Sequence, residues 1–202
     1  MLSCRDETST GAAAAVGSGR ETPVGSFESI KVYALRAPAA RVHEAVTHPE
    51  SWLAGCGLLR ELRLQQAGGP HGIGARHRAV LDVPLGYAIA WELETVRSVP
   101  GRLVEWAASG DVEGYGLWEL EEAGAVTRVT NTWRARPTQP WTMLLSPLSR
   151  GLVANEHDRL MRAGVRALAA QVGADVVDDL STHRASRVHG HASRRGVHHG
   201  AS

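Results

Sequence analysis

The sequence predicts an α+β fold in which a curved antiparallel sheet of about six to seven strands wraps around one long C-terminal helix. Three observations predict it. Between Leu58 and Pro137, stretches of alternating polarity are separated by glycine and proline signals, as in a meander of antiparallel strands. After Gly151 the period changes to that of an amphipathic helix, with Val153, Leu160, Met161, Val165, Leu168 and Val172 on one side. A sheet with one apolar face and a helix with one apolar stripe must bury them against each other, and the long helix is the natural cover.

The first strand is read from FESIKVYALRAP, where Ile30, Val32 and Ala34 alternate with polar neighbours until Pro38 ends the run. Pro38 sits at a plausible first turn of a short helix, PAARVHEAVTH, whose Val42, Ala45 and Val46 fall at i, i+3 and i+4. His48-Pro49 breaks it, and Glu50 to Leu53 reads as one further turn. Six meander pieces follow: LLRELRLQQ, GARHRAVLD, GYAIAWELETV, RLVEWAAS, GYGLWELEE and VTRVTNTWRAR. Tyr87, Ile89, Trp91 and Leu93 share one strand face, and Val129, Asn131 and Trp133 share another, so the inward surface carries some polar groups. The glycines of SGDVEGYGLWEL (109–120) read as a strand corner and bends where the sheet curls, with Asp111 stabilising the turn through its own backbone. The last segment, from Pro140 to about Val172, is helical in period but broken or kinked near its start by Pro147.

Composition bounds the function classes. With 202 residues, 43% hydrophobic and 21% charged, the chain reads as one domain with tails: a disordered N-terminal arm over 1–25, a folded domain over 26–173, and a disordered His/Arg-rich tail over 174–202. A formal charge of +1 leaves no excess that would mark a nucleic-acid or anionic-membrane binder. Lys31 is the only lysine. Cys4 and Cys56 cannot make a disulfide framework, which points to a reducing, cytoplasmic setting. The apolar run Ala12 to Val16 is too short for a secretory leader, and no run reaches the roughly 18 apolar residues of an integral membrane segment.

The order of elements, together with "APAARVHEAVTHPESW", the "SGDVEGYGLWEL" turn, "TRVTNTW", and "QPWTMLLSPLSRGLVANEHDRLMRAGVRALAAQVG", resembles the START-like SRPBCC superfamily. Within it, the likeness is closest to the polyketide cyclase/dehydrase and lipid-transport branch and covers about residues 27 to 173. The resemblance implies a helix-grip fold with a deep apolar cavity between sheet and C-terminal helix. That fold serves carriers, sensors and enzymes alike, so it does not choose an activity.

Candidate residues follow from which faces point inward. His157 sits on the apolar side of the long helix, where burial could shift its pKa into a useful range, or where it is simply a hydrogen-bonded core histidine. His77 shares a strand face with Ala79 and Leu81 and so could line the cavity, while His43 reads as a surface residue of the short helix. Trp91, Trp106, Trp118 and Trp133 lie on four strands, and with Met161 they suit either a roomy pocket for a planar ligand or an ordinary core. Tyr87 or Asn131 could supply the polar group that orients an apolar guest. No nucleophile motif appears, GGPHGIG matches no phosphate-loop spacing, and the tail histidines lack fixed metal-site geometry, so neither cofactor nor metal is expected. The favoured expectation is binding of a small hydrophobic molecule such as a lipid, isoprenoid or polyketide. The alternatives are a polyketide cyclase/dehydratase with His157 or His77 as general acid/base, and a regulatory module whose basic tail docks elsewhere.

Overall fold

The computed structural model describes residues 27–57, 59–83, 87–138 and 147–179. The N-terminal arm, most of the C-terminal tail, Trp141 and the side chain of Tyr87 lie outside the described residues. In chain order the elements are β1 (Phe27–Leu35), α1 (Ala39–Val46), β2 (Leu59–Gln66), β3 (Arg76–Val83), β4 (Tyr87–Val99), β5 (Leu103–Gly110), β6 (Val112–Ala123), β7 (Val126–Pro137), α2 (Pro147–Gln171) and β8 (Val176–Asp179). Single 3₁₀ turns lie at Pro49–Ser51, Ala54–Cys56 and Pro70–Gly72. The strands form one sheet in the order β2-β3-β4-β5-β6-β7-β1-β8, with every pair antiparallel. The meander thus runs from β2 to β7, and β1 returns to close it against β7. Among the described residues no helix is long and apolar enough to cross a membrane.

Two sequence readings change here. β8 falls in the stretch assigned to the tail: Val176 pairs with Leu35 and Asp179 with Tyr33, so a four-residue strand too short to show a period covers the free edge of β1. The faces of β1 are also inverted. Ser29, Tyr33 and Leu35 are buried, Lys31 is half-buried with them, and Ile30 is 38% exposed. Tyr33 and Leu35 join the core cluster, and the charge of Lys31 finds a partner on α2.

Period two then sets the inward face of the whole sheet. Lys31, Asn131, Trp118, Val104 and Ser98 lie side by side across β1, β7, β6, β5 and β4. The adjacent row is Ser29, Trp133, Gly116, Trp106 and Thr95. Val165, Leu168 and Ala169 of α2, with Val172 just beyond its end, join Tyr33, Leu35, Val129, Trp106 and Trp118 in one core cluster, to which α1 adds Val42 and Val46. Pro38 offers α1 no side-chain cap, and Glu122 of β6 supplies one instead, accepting from the Ala39 N–H at 2.7 Å. Pro147 is the first residue of α2, where its missing N–H is harmless.

The glycines of SGDVEGYGLWEL are placed by contact. A Cβ on Gly116 would come within 2.7 Å of the Trp133 ring, which crosses the strand there, and one on Gly114 within 1.9 Å of the Arg134 carbonyl oxygen of β7. Asp111 does not turn on its own backbone; its carboxylate accepts from the Ala90 N–H of β4 at 2.9 Å. Gly114→Ala is therefore expected to destabilise more than Gly116→Ala in urea unfolding, because an indole can shift and a laddered carbonyl cannot. Overpacking of this kind costs about 1–3 kcal/mol or more, and equal losses at the two positions would contradict the assignment.

Candidate functional site

Four tryptophans crowd the concave face, and their N–H groups fare differently. Trp52, on the turn after α1, donates to the Ala45 carbonyl at 2.8 Å and meets Trp118 edge-on with ring centroids 5.9 Å apart. Trp118 in turn meets Trp106 at 5.7 Å. The N–H groups of Trp118, Trp106 and Trp91 are buried without a partner among the described residues, and so is the hydroxyl of Thr95, which lies opposite Trp106 on β4. An unmet buried donor costs roughly 1–3 kcal/mol, so three indoles and a hydroxyl on one face are a polar demand inside an apolar wall. Trp133 is half-buried over Gly116, and Met161 packs half-buried against the core. Asn131 is buried between Lys31 and Trp118 in the strand register.

A charged pole stands beside this wall. Lys31 of β1 donates to the Asp158 carboxylate of α2, and Arg162, one helical turn on, shares that carboxylate. The side chains of Lys31 and Asp158 are only 15% and 21% exposed. Lys31, Arg162 and His157 hold Asp158 below its ordinary pKa against the opposing effect of its own burial, which is the largest single influence on it. His157, with Nε2 sealed from solvent, is pushed down to about 4, first by burial and then by the positive charge of Lys31. It is therefore neutral near pH 7 and a weak base there. Helical period alone sets Asp158 away from the apolar side of α2 and assigns Lys31 no role; a lone lysine in step with Tyr33 and Leu35 is the available signal.

The two candidate histidines are separated. His77 is on the inward face, as the alternation requires, but it does not join the tryptophans. It is almost wholly buried on β3, with Nε2 2.7 Å from a Glu50 carboxylate oxygen. The pair opens on a pocket of about 480 Å³ between α1, the Gly-rich β2–β3 connection and the β4–β5 turn. His43, expected at the surface, is buried on its wall with Nε2 2.9 Å from Ser98 Oγ. The reason is local: Ala39, Val42, His43 and Val46 fall at i, i+3, i+4 and i+7 and form one stripe. Burial, and then the charge of His71, lower the His43 pKa. His71 holds a left-handed backbone (φ 57°) that places its ring 6.3 Å from that of His43. Among the described residues, no three His, Cys, Asp or Glu side chains converge to hold a metal ion.

The sequence profile described as "Polyketide cyclase / dehydrase and lipid transport" matches residues 31–173. No curated protein sequence matches the chain. Among solved structures, the chain is similar to TTHA0849 from Thermus thermophilus, at 22% identity over 72% of this chain and 96% of that one, with TM-score 0.57. It is also similar to the Zhui aromatase/cyclase from Streptomyces sp. R1128, at 15% identity over 73% and 94%, with TM-score 0.58. A third is the di-domain ARO/CYC BexL from the BE-7585A biosynthetic pathway, at 16% identity over 76% and 52%, with TM-score 0.59. At such identities the likeness shows the fold, which is the expected helix grip.

The sealed imidazole makes stability depend on pH. Because the folded-state pKa of His157 lies below its ordinary value of 6.5, its contribution is fully present above pH 6.5 and is lost as pH falls towards 4. The full loss is on the order of 3 kcal/mol. Urea unfolding across that window should show the decline, and His157→Gln should flatten it; an unchanged slope in the variant would assign the decline elsewhere.

Proposed function

We propose that this chain, which belongs to the polyketide cyclase / dehydrase and lipid transport family, holds a small and largely apolar molecule bearing oxygen acceptors between its concave face and α2. The observation that carries the reading is the set of buried Trp91, Trp106 and Trp118 N–H groups with no acceptor among the described residues. A guest with carbonyl or hydroxyl oxygens answers that demand, while its carbon skeleton gains about 25 cal/mol for each Å² withdrawn from water. A polyketide fits better than a plain hydrocarbon lipid, because it alternates oxygen acceptors along an apolar frame. The similarity to the Zhui aromatase/cyclase and to BexL supports the same class of guest.

A second reading, cyclisation or dehydration of that guest, is favoured by one observation: the pair of buried His77 and half-buried Glu50 beside the pocket. A carboxylate that holds one imidazole nitrogen fixes the ring and leaves the other nitrogen to carry a proton. His77 lies opposite Leu93, the next inward residue of β4 after Trp91, so the pair stands near the end of the tryptophan wall. His157, neutral and weakly basic, suits hydrogen bonding to a guest better than proton abstraction.

Native mass spectrometry of the purified protein should reveal the bound guest. Tryptophan fluorescence should then show Trp106→Phe and Trp118→Phe binding it about 5–30-fold more weakly, the scale of one lost hydrogen bond plus packing. Unchanged affinity in both variants would remove the support of the indole N–H groups. For the catalytic reading, Glu50→Gln should slow turnover of a linear poly-β-ketone about 10²-fold with binding retained, and equal turnover in the variant would leave binding alone.

A further inference from the structure

Among the described residues, the charged pole beside the tryptophan wall is unbalanced. Two cations, Lys31 and Arg162, share the single carboxylate of Asp158. Among the described residues, the other groups facing it contribute no charge near neutral pH: Asn131 opposite Lys31 on β7 is uncharged, and His157 on α2 is neutral. Arg159 projects from the exposed side of α2. Among the described residues one positive charge is thus in excess at the edge of a wall of indoles; the Arg162 side chain is 43% exposed, whereas the low exposure of Lys31 weakens the screening of its charge. Lys31 is central to it. Its Nζ carries three donors, its side chain is partly open to solvent, and it is neighbour to Asn131 and, one strand further, Trp118 on the inward face.

We infer that Lys31 and Arg162 form an anion-selective pole of the ligand site, which receives a carboxylate, enolate or phenolate at one end of an otherwise apolar aromatic guest. This rests on the grip reading and narrows its ligand class. The anion shares the two cations with Asp158, while the ring system lies against Trp118 and Trp106. An enolate or phenolate is the form a poly-β-ketone takes once a proton has left, so the same pole would favour that form of a polyketide over its neutral tautomer.

The test compares 2-naphthoate with 2-naphthalenemethanol, which share a ring system and differ in charge, by quenching of tryptophan fluorescence at neutral pH. The full chain is expected to bind the acid about tenfold more tightly than the alcohol, the scale of one hydrogen bond to a charged group. That preference should shrink as salt is raised. Lys31→Met should abolish the preference while leaving the alcohol's affinity in place, and Lys31→Arg should keep it. Asp158→Asn, which removes the competing carboxylate, should increase it. Equal binding of the two probes to the native chain, or an undiminished preference in Lys31→Met, overturns the anion-selective pole with the grip reading intact. Failure of both probes to bind the native chain overturns the grip reading and this inference together.

Discussion

Tyr33 lies opposite Val129 and Leu35 opposite Thr127 across β1 and β7, and this register organises the rest of the molecule. Because side chains alternate, a slip of one residue would turn Tyr33 and Leu35 into water and take Lys31 away from Asp158. The register also fixes what the sheet presents to α2. Trp118 and Trp106 stand on the same face as Tyr33 because β7, β6 and β5 are laddered from β1 without a bulge, and the first irregularity appears only at Thr95 in β4. The core and the candidate site are therefore one surface. Val129, Val104 and Leu168 supply purely apolar packing, and Trp91, Trp106 and Trp118 the part whose polar atoms lack protein partners among the described residues.

That division has an energetic logic. A protein selected for stability alone has little reason to bury indole N–H groups without acceptors, because phenylalanine or leucine would fill similar space without the unmet donor. Trp52 shows what a satisfied indole looks like in the same cluster, with its N–H on the Ala45 carbonyl. Sealing His157 beside a lysine likewise costs stability in acid. Such unmet and perturbed groups gather where a second molecule is expected to complete the structure.

Two regions of contrasting chemistry result. The tryptophan wall with Lys31, Asp158 and Arg162 suits recognition of an aromatic, oxygenated guest, whereas the pocket bounded by His43, Glu50, His71 and His77 suits movement of a proton. The strained backbone of His71 adds to the second, since a left-handed non-glycine residue is retained only where the surroundings hold it. Under the proposed readings, binding and proton transfer would fall to different ends of one inward face.

The sequence by itself determined the class of fold, the meander, the amphipathic C-terminal helix, and which residues share the strand faces that carry His77, Trp91 and Asn131, while by itself it makes Pro147 a break within a helical segment from Pro140 rather than the first residue of α2. Those are properties of period and of glycine or proline punctuation, which neighbouring residues dictate. Tertiary structure decided which face of β1 is buried, that His43 is interior, that Glu50 seats His77, and that Lys31 and Asp158 meet across 127 positions of chain. β8 belongs with these, since four residues carry no readable period and pair only because β1 leaves an edge. Each depends on free energies that compare distant partners: the apolar area of Tyr33 and Leu35 against that of Ile30, or a lysine's desolvation against the carboxylate that neutralises it. Local pattern holds no record of such comparisons, which are made only when the sheet closes on the helix.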